Sequence, residues 1–294
     1  MKKICSLTFH LAASILNPFS SLSPTMDSQR GDLILPDIPE LGLIVPSAAL
    51  AANTSSFVKK HCDAMIYNHV ARSAYWALII ARKLPQFANA DLSLVFISCM
   101  LHDMGWAAAK ELLAQDKRFE VDGANIAKGF LKDHTGSEYH DNETSEAWDP
   151  ARIQRAWDAI AFHTTPSIAQ HAAAEVALTN LGVTADFLGP NLDLGLGPNL
   201  ISREEYRAVT KLFPRNGFTY EGLKQVMCGI CRTKPNTTYD NFVGEFGVRF
   251  GIDGEGSGKD EFAEKVEKAR FVNFSKFALD ALEVLDKEIS GDDK

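Results

Sequence analysis

The stretch L-V-F-I-S-C-M-L-H-D-M-G, Leu94 to Gly105, constrains this chain more than any other. Leu94 through Leu101 are all apolar or small, which predicts an element buried on every side rather than on one stripe. The run then delivers an adjacent His102 and Asp103 and stops at Gly105. An imidazole and a carboxylate buried without partners cost several kcal/mol between them. The fold must therefore bring something to this pair, and a cation would satisfy both side chains at once.

The helices predicted around the pair follow from the spacing of apolar residues. Between Ser55 and Leu84, Met65, Ile66, Val70, Ala74, Ala77, Leu78 and Ala81 recur every three or four positions, and Pro85 closes the run; His69 lies within it. Residues 90–103 form the buried helix, capped by Asn89 or Asp91. Phe119 to Leu131 is a further helix, and the polar, acidic stretch from Ser137 to Trp148 is a surface loop. Asp149-Pro150 supplies an N-cap with proline at the first helical position, for a helix ending near His163. A helical stretch from about Ile168 to Leu188 carries Asp186, and the Gly- and Pro-rich residues to Leu200 are a loop. Ser202-Arg-Glu-Glu205 is a capping box that opens a helix closed by Pro214, and Thr219 to Arg232 is the next helix. Lys234 to Gly258 reads as irregular, and Asp260 to Ile289 as one long amphipathic helix, with a break allowed. No β alternation of useful length is present, so the chain reads as all-α.

With 294 residues and 46% hydrophobic content the chain can bury a sizeable core, and we read one helical domain over 51–290, including a C-terminal helical extension, after a tail at 1–50. In the tail, residues 34–45 are expected to lie extended on the core. Lys2-Lys3 and the apolar run Ile4–Leu16 read either as a signal peptide or as a leader before Met26. The five cysteines are too few and too scattered for a disulfide scaffold, which favours a reducing, cytoplasmic setting. Cys228-Gly-Ile-Cys231 has redox or zinc spacing, but without a second pair it reads as two small residues on one helix face. A net charge of −8 argues against nucleic acid or an anionic membrane as partner, leaving a small-molecule substrate and a homo-oligomer as the expectations.

The side chains available to the buried pair are His69 and Asp186, each on a predicted helix. Two imidazoles and two carboxylates are mixed N and O donors suited to Zn, Fe or Mn rather than Ca. Taken singly, each also reads as an ordinary polar residue. The order of helical His69, apolar helix ending in His102-Asp103, then helical Asp186 resembles the H…HD…D signature of the HD-domain metalloenzymes, over roughly residues 60–190. Tyr67-Asn68-His69, Leu101-His102-Asp103-Met104-Gly105, Arg118-Phe119-Glu120, Ala159-Ile160-Ala161-Phe162-His163 and Ala185-Asp186-Phe187 are similar to its cyanamide hydratase branch. The resemblance implies a single HD-domain helical bundle. It makes His69, His102, Asp103 and Asp186 ligands of one divalent transition metal, zinc first, with iron or manganese as alternatives.

It also implies a hydratase that adds water to a nitrile-type carbon, converting cyanamide to urea or acting on a related nitrile or isonitrile. Asp103 or Asp186 would move protons there, with Glu120 as an outer acid and His163 as a relay or a partner behind the ligands. For Glu120 the other reading is a dipole-favourable residue in a first helical turn, and for His163 a satisfied core histidine. Arg72, one turn after His69, would steer an anion or pair with an acid. The alternative activity is an HD phosphohydrolase acting on a nucleotide or other phosphate ester. Many of those follow His-Asp with a charged residue, whereas Met104, Gly105, Trp106 and Ala107 are uncharged here. A second metal would need two more histidines from His134, His140, His163 and His171, whose spacing favours one metal. Residues 234–243 read as a packed anchor for the C-terminal helix, with a lid over the site as the alternative.

Overall fold

Residues 35–46, 49–135, 148–193, 195–197, 199–271 and 274–291 are described by a computed structural model. The leader, most of the loop expected over 137–148, and His140 lie outside these residues. The described residues form 12 α-helices with no strand, as the periodicity predicts.

The helical run expected to begin at Ser55 is two helices, α1 (Ala49–His61) and α2 (Ala64–Lys83). Asp63 separates them: its side chain accepts from the backbone N–H of Ile66 and so caps α2. Helix α3 (Leu92–Leu101) is the buried run, and Asp91 rather than Asn89 is its cap, accepting from the N–H of Leu94. Residues Leu94 to Leu101 are all buried, because α1, α2, α5 (Pro150–Ala161) and α7 (Ala174–Leu188) surround α3. Helix α4 (Phe119–His134) packs on α5 and on the turn after α3. The stretch expected to run unbroken from Ile168 is a short α6 (Pro166–Ala169), a turn, and then α7.

Two close approaches set the geometry at the end of α3. A Cβ at Gly182 of α7 would lie 2.6 Å from the Ser73 carbonyl oxygen of α2, so only glycine lets these helices cross at this distance. A Cβ at Gly105 would lie 2.0 Å from the Phe119 carbonyl oxygen, so the chain can turn under α4 directly after His102-Asp103.

Residues 35–46 drape on this bundle, burying Leu35, Ile38, Leu43 and Val45; Tyr75 donates to the Pro36 carbonyl and Arg82 to those of Leu41 and Gly42. Downstream lie α8 (Arg203–Leu212), opened by the complete Ser202/Glu205 capping box, and α9 (Tyr220–Thr233). The segment expected to be irregular holds a helix, α10 (Phe242–Phe250). Its glycines mislead a reading by propensity: they are packing positions, Gly244 against the Thr238 carbonyl and Gly247 against the Phe262 ring. The C-terminal amphipathic run is divided into α11 (Lys259–Phe271) and α12 (Phe274–Gly291).

Helices α9, α10 and α11 form a second small core, built on Phe119, Met227, Ile230, Cys231, Val243, Phe262 and Val266. The Cys228 and Cys231 thiols are buried there and donate to the Phe246 and Val243 carbonyls, a packing role for the pair. Lys234 is buried and pairs with Asp122 at 3.2 Å, and Thr237 and Thr238 are buried beside it, so residues 234–238 anchor this unit to α4.

Candidate metal centre

His69 stands in the second turn of α2, and His102-Asp103 follow the last residue of α3, where the helix breaks into a turn. All three side chains are buried. The Nδ1 of His102 faces the Cys99 carbonyl oxygen at 2.7 Å, which only an N–H can satisfy, so Nδ1 carries the proton and the neutral ring's Nε2 is a bare lone pair. His69 is held the same way, its Nδ1 donating to Asp186 Oδ2 at 2.7 Å. The two Nε2 atoms then face each other at 3.3 Å, and lie 3.2 Å (His102) and 3.4 Å (His69) from Asp103 Oδ2, which has no hydrogen-bond partner among the described residues.

Electron pairs brought together without protons between them repel, and a cation relieves the repulsion. Donors bound to one ion at about 2.0–2.2 Å at tetrahedral or octahedral angles stand roughly 2.8–3.6 Å apart. The separations in this group fall in that interval, and its N and O atoms suit a borderline divalent ion. Titration agrees. Burial works against charge on His102, but the Asp103 carboxylate beside it outweighs this and raises its pKa. Burial alone would raise Asp103; the imidazoles of His102, His69 and His163 hold it below the ordinary carboxylate range. The group attracts positive charge.

Asp186, expected in the same donor set, is placed behind His69 instead. Its Oδ1 accepts from Arg72 Nε at 2.7 Å and Trp76 Nε1 at 2.9 Å; its Oδ2 accepts from Arg72 Nη2 at 2.8 Å and from His69. Burial opposes its charge, but these bonds to His69 and Arg72 hold its carboxyl well below the usual range. With both oxygens engaged, Asp186 fixes the tautomer and tilt of His69, as carboxylates behind metal-bound imidazoles do. Arg72 pairs with an acid rather than steering an anion, and its Nη1 also donates to the Phe213 and Pro214 carbonyls.

His163 does reach the site. Its Nδ1 donates to the Ile160 carbonyl, and its Nε2 lies 3.8 Å from Asp103 Oδ1. Burial and the neighbouring His102 push its pKa down to about 4, so it is neutral at pH 7. Glu120 is set one side chain further back: its Oε1 accepts from Thr164 Oγ1 at 2.7 Å and Arg118 Nη2 at 3.0 Å. Of the other histidines, His134 bonds the Phe130 carbonyl and His171 lines a separate pocket.

A pocket of about 270 Å³ opens over the three donors. Trp106, Phe119, Phe187, Leu188, Leu223, Met227 and Phe242 make most of its wall, with Thr164 and Asn180 among its few polar positions. No lysine or arginine lines it. The contributions of Asn180 and of α9 and α10 were not legible in the sequence, since no motif connects Leu223, Met227 or Phe242 to a site more than a hundred residues earlier.

Residues 66–194 match the HD domain family, a span that contains His69, His102, Asp103, His163 and Asp186. No curated protein matches the chain. Over that span, which is under half of the chain, the match supports the HD-domain superfamily, whose members bind divalent metals. His69, His102 and Asp103 are a group that could hold such an ion.

Proposed function

Taking the HD domain as the premise, we propose that this protein is a metal-dependent hydratase that adds water to a nitrile-type carbon of a small uncharged substrate, cyanamide to urea or a nitrile or isonitrile relative. The observation that carries the reading is the pocket wall: aromatic and aliphatic, with no cationic side chain. A phosphate ester bound there would bury its charge without the charge-assisted donors that phosphate recognition uses. His69, His102 and Asp103 would hold one divalent ion, with zinc preferred and iron or manganese as alternatives. When bound, such an ion lowers the pKa of a water and polarises an electrophile.

The chain's own residues account for orientation and protons. Asp186, itself held by Arg72 and Trp76, keeps His69 in the tautomer whose Nε2 is free. In the net reaction the water oxygen joins the carbon and a proton goes to nitrogen. His163 Nε2, neutral and 3.8 Å from Asp103 Oδ1, would accept and return a proton, with Thr164 and Glu120 behind it. The apolar wall excludes bulk water.

A phosphohydrolase is the second reading, and one observation favours it. Arg203, Arg207 and Arg215 line an adjoining groove that shares Phe187 and Leu188 with the first pocket. Urea production from cyanamide by purified protein, run beside phosphate release from a nucleotide panel, separates the two. Phosphate release with no nitrile hydration would overturn the hydratase reading.

A further inference from the structure

Besides Asp103 Oδ2 in the donor group, two buried polar atoms in the pocket residues have no partner among the described residues, and they are of opposite kind. Asn180 is 2% exposed, and its Nδ2 donates to the His163 carbonyl at 2.7 Å, which fixes the amide's orientation. Its Oδ1 is buried and unpartnered. Trp106 Nε1 is likewise buried and unpartnered, whereas Trp76 and Trp157 donate theirs to Asp186 and Asn125. The Thr164 hydroxyl proton goes to Glu120 and the His163 Nδ1–H to Ile160, so neither is left to donate to Asn180 Oδ1. A buried acceptor and a buried donor left unmade both cost free energy, and a ligand that pairs them recovers it.

We propose that Asn180 Oδ1 and Trp106 Nε1 are specificity-determining groups, which select a ligand whose uncharged polar end offers both an N–H and an electron-pair acceptor. The class is a carboxamide, a urea or an amino-nitrile, with room for an apolar body against Phe119, Phe187 and Met227. Asn180 accepts the ligand's N–H, and Trp106 donates to its oxygen or nitrogen. This rests on the reading of the pocket as the site for an uncharged substrate, and adds that nitriles without an N–H are poor ligands. Discrimination of this sort is strong because a ligand lacking the group leaves a buried partner unsatisfied.

The test uses binding, not turnover. Benzamide and acetophenone share a ring and a carbonyl and differ in NH₂ against CH₃. Calorimetric titration of the purified, metal-containing protein is expected to show benzamide binding about tenfold tighter. Asn180→Ala should lose that preference while keeping its affinity for acetophenone. Trp106→Phe keeps a ring in the wall and should weaken both probes several-fold with the preference intact. Circular dichroism verifies the fold of each variant, and if Asn180→Ala fails to fold, the wild-type preference and Trp106→Phe decide. Equal wild-type affinities, a preference that survives Asn180→Ala, or no binding of either probe at millimolar concentration would overturn the proposal. An N–H preference in a protein that hydrates no nitrile would sink the hydratase reading alone; nitrile hydration with no N–H preference would sink this inference alone.

Discussion

At the scale of single residues, one side chain from α2 and two from the turn that ends α3 bring unprotonated donors together. His102→Ala or Asp103→Ala should abolish stoichiometric metal and activity while leaving helical content unchanged; elemental analysis and circular dichroism check this, and retention of metal in both variants would refute the assignment. Asp186→Asn breaks a buried pair and leaves Arg72 uncompensated, for an expected loss of about 3–5 kcal/mol in urea denaturation. It should also weaken metal binding about 10–100-fold through His69. His163 supplies a pH signature. Its folded pKa of about 4 lies below the ordinary 6.5, so between those values the unfolded chain binds a proton that the folded chain refuses. Stability therefore rises with pH across that window, and the penalty is complete below it. In metal-free protein, His163→Gln should flatten the rise by up to roughly 3 kcal/mol, measured by denaturation at pH 4 and 7. The His102-Asp103 pair and His69 were legible because burial and helical order single them out. The place of Asp186 was not. A sequence puts a carboxylate near an imidazole without saying which nitrogen it faces, and the neighbour that decided this, Arg72, read equally well as an anion guide.

At the scale of elements, caps were the readable signal and glycines the unreliable one. Asp149-Pro150 and the Ser202 box start helices where expected, because a cap is a local hydrogen bond. Asp63 is the same kind of cap, two residues before the apolar rhythm that starts at Met65, but within a run read as one helix from Ser55. Gly244 and Gly247 made α10 look like a loop, when what they serve is a neighbour absent from any local window. The contact of α2 with α7 depends on such a glycine. Gly182→Ala would push a methyl to within 2.6 Å of the Ser73 carbonyl oxygen and is expected to cost about 1–3 kcal/mol, seen as a lower melting temperature. Because α2 carries His69 and α7 carries Asp186, the same substitution should also loosen metal binding.

For the whole molecule, the all-α class followed from the missing β alternation, but the division of the interior into two cores did not, since it depends on which helices meet. Outside both, α12 leaves Phe277 and Ile289 each 70% exposed. Removing residues 274–294 should therefore leave melting temperature and bound metal nearly unchanged, while a drop of many degrees would show that α12 belongs to the folding unit. The seam between the cores has a longer reach. The metal donors belong to the bundle around α3, while Leu223, Met227 and Phe242, which shape the pocket, belong to the unit of α9 to α11. Heritable change in what the protein accepts and heritable change in what it does thus fall on different stretches of chain. A lineage can drift at positions 223, 227 and 242 towards new substrates while its ligand set stands still, and a library randomised at those three positions reproduces that drift in the laboratory.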